Sequence, residues 1–289
     1  MFRRARTSNI IILCVAVAGS LALIARNHYG STRLEHLLIR PELYAEISTT
    51  TEQIHRTKDL STEKLNLPIL VYHIVRPSYS SDNKAVRALA QTPEVFDAEL
   101  KYLKENNYHI ISFGDLEDYF NSGKSLPEKP IILSFDDGWA NQFVYAFPIL
   151  KKYHYSATFF VFTNSINHTH FLSWKNLEEM TTAGMTIGAH TLSHPYLTNI
   201  ASPTVLWDEI SGSKHILEKQ LGTTINEFAY PFGQYNAVVR DLVKKAGYHS
   251  ARGDYESGDQ TMGRLYELSA LNAPTTMALF EKRFPKTVP

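Results

Sequence analysis

Two neighbouring carboxylates, Asp136 and Asp137, follow the apolar run Ile131-Ile132-Leu133 and stand in the stretch Phe135-Asp136-Asp137-Gly138-Trp139. Like charges side by side at the end of a buried strand are unfavourable unless a cation or a held proton neutralises one of them. A candidate for holding such a cation lies further along, where Met185–Ala189 runs strand-like into His190-Thr191-Leu192-Ser193-His194. Four-residue spacing sets both imidazoles on one side of a helical turn, close enough to share one cation. A carboxylate from Asp136 or Asp137 completes a set of two histidines and one aspartate. Such a set leaves positions open for water and substrate, as a catalytic zinc centre does. The remaining carboxylate is then free to move a proton. Each motif alone has an ordinary explanation, since Asp-Asp-Gly is a common turn and paired histidines often face solvent. Their joint occurrence, each behind an apolar strand, favours the metal reading.

Composition narrows the chemistry. Lys+Arg and Asp+Glu both number 29 in the 289-residue chain, so no net field recruits nucleic acid. The single cysteine, Cys14, excludes an intrachain disulfide and a cysteine-rich metal site, which leaves His, Asp and Glu as ligands. No Gly-x-Ser-x-Gly elbow, phosphate-cradling glycine loop or dinucleotide fingerprint is present, so neither a serine esterase nor a nucleotide partner is expected. His168 and His170 read as loop residues, and His154 and His215 as surface groups on helical segments.

The elements that must position these residues alternate from Pro68 onward. Strand-like runs occupy 69–74, 108–113, 130–135, 157–162, 185–189, 227–230 and 248–251, with helical patterns at 141–153, 174–183, 203–221 and 235–246. Thr92-Pro93-Glu94 opens a further helix carrying Phe96, Leu100 and Leu103 at helical spacing. Strands alternating with helices imply a parallel sheet, and this number of units suits a deformed (β/α) barrel of about seven strands. In a barrel the chemistry collects at the C-terminal ends of the strands, where Asp136, Asp137, His190 and the segment after Tyr230 fall.

Residues 1–26 stand apart, with a basic start and a charge-free stretch from Ile10 to Ala25 closed by Arg26. This is the pattern of a signal peptide or a signal anchor, with the balance slightly towards an uncleaved anchor, and it places the remainder extracytoplasmic. Residues 27–66 are polar and read as a stalk, leaving 67–289 as the folded domain.

Ser134–Gly138 (SFDDG), His190–His194 (HTLSH) and Ala229–Gly233 (AYPFG), in that order, resemble the motifs of the polysaccharide deacetylase family, the NodB-homology or carbohydrate esterase family 4 domain. Val71–Val75 (VYHIV), Trp139 after the Asp-Asp-Gly and the form of the third motif are most similar to the extracellular deacetylases of poly-β-1,6-N-acetylglucosamine. The resemblance covers roughly residues 67–289. It implies a deformed barrel, a divalent metal (usually Zn2+, with Co2+ or Ni2+ as alternatives) and hydrolysis of N-acetyl groups on an N-acetylglucosamine-containing polysaccharide. It further implies Asp137, His190 and His194 as metal ligands, Asp136 as general base, and the backbone N–H of Phe232, after Pro231 and before Gly233, as oxyanion donor. Trp139, Tyr196 and Phe232 are candidates for contact with a pyranose ring.

Three departures from the family pattern stand out. The arginine that usually opens the third motif is Ala229, with Arg264 or another cation as the substitute. No histidine follows His249, so the late leaving-group acid is missing, and the resemblance transfers that role to His73 on the first strand. The aspartate-tryptophan motif is not recognisable either, since the last tryptophan is Trp207. Peptidoglycan is the closest competing substrate, and a glycan-binding module on a decayed scaffold is the rival of another class.

Overall fold

A computed structural model describes residues 64–254 and 258–286. The expected anchor within 1–26 and nearly all of the stalk lie outside the described residues. Six strands of one parallel sheet follow in sequence: β1 (Ile69–Tyr72), β2 (Pro130–Phe135), β3 (Thr158–Val161), β4 (Thr186–Ala189), β5 (Glu227–Ala229) and β6 (Ser250–Asp254). The last segment holds β7 (Leu268–Ser269) and β8 (Leu271–Asn272), separated by Ala270. β7 pairs with β6 and β8 pairs with β1, both parallel, so one bent segment bridges the two edges and nearly closes a barrel.

The strands read as apolar runs because both of their faces are buried. Ile69, Val71, Ile132, Phe160 and Ala229 point inward with Leu268 and Ala270, and Phe113, Leu116 and Phe120 of helix α2 (Phe113–Ser122) pack with them. The alternate residues Leu70, Tyr72, Leu133, Phe135, Phe159, Val161, Ile187 and Phe228 point outward, against a shell of helices. That shell includes α1 (Pro93–Glu105), α3 (Phe147–Tyr153), α4 (Trp174–Thr182), α5 (Ser213–Leu221) and α6 (Ala237–Lys245). Helix starts are set locally. Thr92 caps α1 ahead of Pro93, while Ser112 and Ser173 form reciprocal capping boxes with Asp115 and Asn176.

Several expected boundaries shift. The strand expected at 108–113 is only His109–Ile110, because Ser112 caps α2 and Phe113 is already helical. The strand expected to end at Ala251 continues to Asp254. Leu65–Asn66, assigned to the stalk from sequence, pair antiparallel with Asp259–Gln260. Two helical runs contain a π turn, at Gln142–Ala146 and Asp208–Gly212. Such widened turns re-aim side chains that a regular helix would point elsewhere.

Candidate metal centre and proton-transfer site

Inward positions on the strands alternate, so Ile132 and Ser134 carry the phase on to Asp136, and Gly188 carries it to His190. Both chemical residues therefore arrive at the C-terminal mouth of the barrel already aimed at its axis. Asp137, two residues past the end of β2, takes φ of 71°, and its side chain faces His190 and His194 while that of Asp136 meets Arg252. His190 is buried, and its Nδ1 donates to the Ala229 carbonyl at 2.7 Å. That hydrogen bond fixes the tautomer whose Nε2 lone pair faces the site. Burial pushes the His190 imidazolium down to about 4, so the ring is neutral and ready to ligate at neutral pH.

Asp137, His190 and His194 come together as the sequence expects. Nε2 of His190 and Nε2 of His194 stand 3.1 Å apart, with Asp137 Oδ1 at 3.8 Å and 3.4 Å from them. Tetrahedral coordination with bonds of about 2.0–2.1 Å requires ligand-to-ligand edges of about 3.3 Å. The three edges bracket that value, so the donor set and its spacing fit a zinc-sized ion.

His194 reaches the centre by a different route from the expected helical turn. The 190–194 segment is a loop in which Thr191 and His194 adopt φ of 73° and 62°. Glu209, on the second π turn, holds this loop in shape. Its carboxylate accepts the N–H groups of Leu192 and Ser193 at 3.0 Å and 2.9 Å and the Ser193 hydroxyl at 2.5 Å. On the first π turn, fully buried Gln142 donates to the carbonyls of His73 and Asp136 at 2.8 Å and 2.6 Å, tying the ends of β1 and β2 together. Neither clamp is legible in the sequence, because the π turns that aim them carry no distinct periodicity.

Asp136 is buried beside the centre, and its two oxygens face different partners. Oδ1 accepts a hydrogen bond from the guanidinium of Arg252, while Oδ2 lies 3.9 Å from Nε2 of His73. Burial alone would raise the Asp136 carboxyl. The Arg252 charge, followed by the neighbouring His190 and His73, instead holds it below the usual carboxylate range. Arg252 resolves the first departure from the family pattern. It pairs in register with Ala229 across β5 and β6, and residues so paired project from the same face of the sheet. The cation thus stands at the expected level of the barrel, one strand over, with the small Ala229 beside it.

Arg252 is completely buried, and its guanidinium lies 4.6 Å from the centre of the Phe160 ring. Phe160 in turn fits only because position 188 is glycine, where a Cβ would stand 2.5 Å from the ring. Arg264 is not the substitute; it lies on the surface, 3.5 Å from Glu267. The signal that could have found Arg252 is its phase. Ser250 and Arg252 alternate with Ala251, so extending the strand by one residue places a charge inside the barrel.

The remaining candidates line the mouth. Pro231 is buried, Phe232 takes φ of 59°, and Gly233 follows at 69°, a conformation that glycine adopts without strain. Phe232 and Tyr196 stack at 3.8 Å and 11°, both more than 40% exposed, and the Phe232 ring packs edge-on against His194 at 4.6 Å. Trp139, a candidate for sugar contact, stacks instead on Phe171 at 4.7 Å, and its indole N–H donates to Asp137 Oδ2 at 2.9 Å.

A nearly closed parallel barrel thus carries at its mouth a two-histidine, one-aspartate cluster with the spacing of a single metal site, and beside it a second, charge-held carboxylate. A family model described as polysaccharide deacetylase matches residues 123–251. The chain is 31% identical over 213 residues to the poly-beta-1,6-N-acetyl-D-glucosamine N-deacetylase of Staphylococcus epidermidis, covering 66% of this chain and 73% of that protein. It is 32% identical over 190 residues to YxkH of Bacillus subtilis, named provisionally as a polysaccharide deacetylase, and spans 65% of that relative's length. Among solved structures, the Streptococcus pyogenes deacetylase PplD in complex with acetate superposes with a TM-score of 0.70 at 28% identity, covering 77% of this chain and 98% of that one. The chain belongs to the polysaccharide deacetylase family.

Proposed function

We propose that the protein hydrolyses N-acetyl groups from N-acetylglucosamine residues of an extracytoplasmic polysaccharide, with poly-β-1,6-N-acetylglucosamine as the substrate. The observation that carries this reading is the division of labour between the two aspartates. Asp137 faces the two histidines, whereas Asp136 is buried, held ionised by Arg252 and set beside His73. The name of the Staphylococcus epidermidis relative supports the choice of polymer. Residues 1–26 would attach the protein to a membrane or direct it through one.

Asp137, His190 and His194 would hold the divalent ion, zinc in the first instance. Bound there, such an ion supplies Lewis-acid polarisation of the acetyl carbonyl and lowers the pKa of a water molecule. Asp136, ionised at neutral pH, accepts the proton of that water as its oxygen bonds to the carbonyl carbon. The charge that develops on the carbonyl oxygen would be met by the backbone N–H of Phe232 in the Pro231–Gly233 turn. His73 then gives a proton to the departing nitrogen, so the C–N bond breaks to release acetate and leave a glucosamine amine. With Arg252 supplying the charge and His73 the acid, both gaps that favoured a binding-only module have a candidate occupant.

The test is acetate release from β-1,6-linked N-acetylglucosamine oligomers, purified peptidoglycan and β-1,4-linked oligomers in parallel. The expected result is preferential release from the β-1,6 series. Release from peptidoglycan alone would move the substrate to the cell wall, and binding of oligomers without release would favour the glycan-binding module.

A further inference from the structure

We infer that Trp139 is a positioning residue for the metal ligand Asp137, which it holds so that a single oxygen faces the two histidines. The inference rests on the metal reading given above and goes beyond it. Asp137 has two carboxylate oxygens with separate surroundings. Oδ1 lies 3.4 Å and 3.8 Å from the imidazole nitrogens of His194 and His190, while Oδ2 accepts the indole N–H of Trp139 at 2.9 Å. An indole offers one donor and no acceptor, so it can hold one oxygen of a carboxylate and has no means of competing for the ion. A carboxylate freed of that bond would rotate about its terminal torsion, which has a broad and shallow preference. Both oxygens would then sample the site.

The indole is itself fixed from behind. Its ring stacks on Phe171 at 4.7 Å and 20°, and the backbones of residues 139 and 171 form an antiparallel bridge. Flanking hydrogen bonds run from Ala140 N–H to the His170 carbonyl and from Leu172 N–H to the Gly138 carbonyl, each 2.8 Å long. Phe171 meets Phe162 edge-on at 5.3 Å, and Phe162 lies 5.5 Å from the His194 ring. The aromatic row therefore runs from the support of one ligand to the flank of another. A side chain with one face covered by Phe171 and its N–H committed to Asp137 is built for orientation.

The test uses Trp139→Phe in the full chain, a change that keeps a smaller aromatic ring against Phe171 and removes the donor. Zinc affinity is measured by competition with a chromophoric chelator, and kcat and KM are measured at saturating zinc. Outer hydrogen bonds to metal ligands typically contribute 10–100-fold in affinity. The expected result is a loss of zinc affinity in roughly that range, with KM for the oligosaccharide unchanged. Zinc affinity equal to wild type overturns the inference, as does a raised KM with intact zinc binding, the outcome expected of a sugar platform.

A second measurement does not depend on how the variant folds. The chain has 3 tryptophans, so zinc added to 15N-labelled wild type should move one indole N–H resonance, that of Trp139, much more than the other two. Three unmoved resonances with zinc bound contradict the inference. Failure of wild type to bind zinc at all would instead bring down the metal reading on which it rests.

Discussion

Asp136→Asn is expected to lower kcat/KM for deacetylation by about 10²–10⁴-fold, the usual contribution of a positioned general base, while zinc is still bound. Asparagine matches aspartate in shape and cannot take the proton. The ligand triangle of Asp137, His190 and His194 does not include residue 136, so metal uptake separates this loss from collapse of the centre. The substitution also leaves the fully buried Arg252 without its counter-charge. A fall in stability should accompany the loss of activity, and rates must be measured well below the melting temperature. A variant that keeps more than a tenth of the wild-type rate would take the base role away from Asp136.

Arg252→Met should move the acid limb of the pH–rate profile to higher pH and destabilise the protein by about 3–5 kcal/mol at neutral pH, the usual penalty for stranding one partner of a buried ion pair. The sign follows from the environment of Asp136. In wild type its carboxyl is held below the ordinary range. It therefore contributes stability above the unfolded-state pKa, which is lost as pH falls through the lowered folded value. With Arg252 gone, burial, the largest single influence on this group, is expected to raise the carboxyl above its unfolded value. The folded state then prefers the protonated acid, and the variant loses stability as pH rises, the reverse of the wild-type trend. Urea unfolding at pH 5 and pH 8 reads this directly, with the larger deficit expected at pH 8. Adding Asp136→Asn to Arg252→Met should restore part of the lost stability and none of the activity, because the two residues share one interaction. An unchanged acid limb in Arg252→Met would show that the arginine does not tune the base.

The barrel was legible because its strands are buried on both faces and so stand out as apolar runs between amphipathic segments. The closure through Leu268–Asn272 was not, since two-residue strands bent at Ala270 leave no periodic trace. The ligands were legible from motif and spacing, although the physical route differs. His190 and His194 meet across a loop with left-handed residues that Glu209 braces, where the spacing alone suggested a helical turn. Arg252 is not legible because the apolar pattern ends the strand at Ala251, short of its actual end at Asp254, and so leaves the arginine outside the sheet. Trp139 was placed near the chemistry by its position after the Asp-Asp-Gly, but its partner is a carboxylate oxygen. A sequence does not reveal which atom an indole faces; the stack on Phe171 and the bridge between residues 139 and 171 set it.

The most direct measurement is acetate release from β-1,6-linked N-acetylglucosamine oligomers by the full chain after dialysis against chelator, with zinc then returned in steps. The expected result is loss of release on chelation and recovery that saturates at one equivalent of zinc, with Asp136→Asn silent throughout while binding the same equivalent. Release that persists after the metal has been removed, or zinc uptake at one equivalent with no release from the oligomers, would contradict a metal-dependent deacetylase built on Asp136, Asp137, His190 and His194.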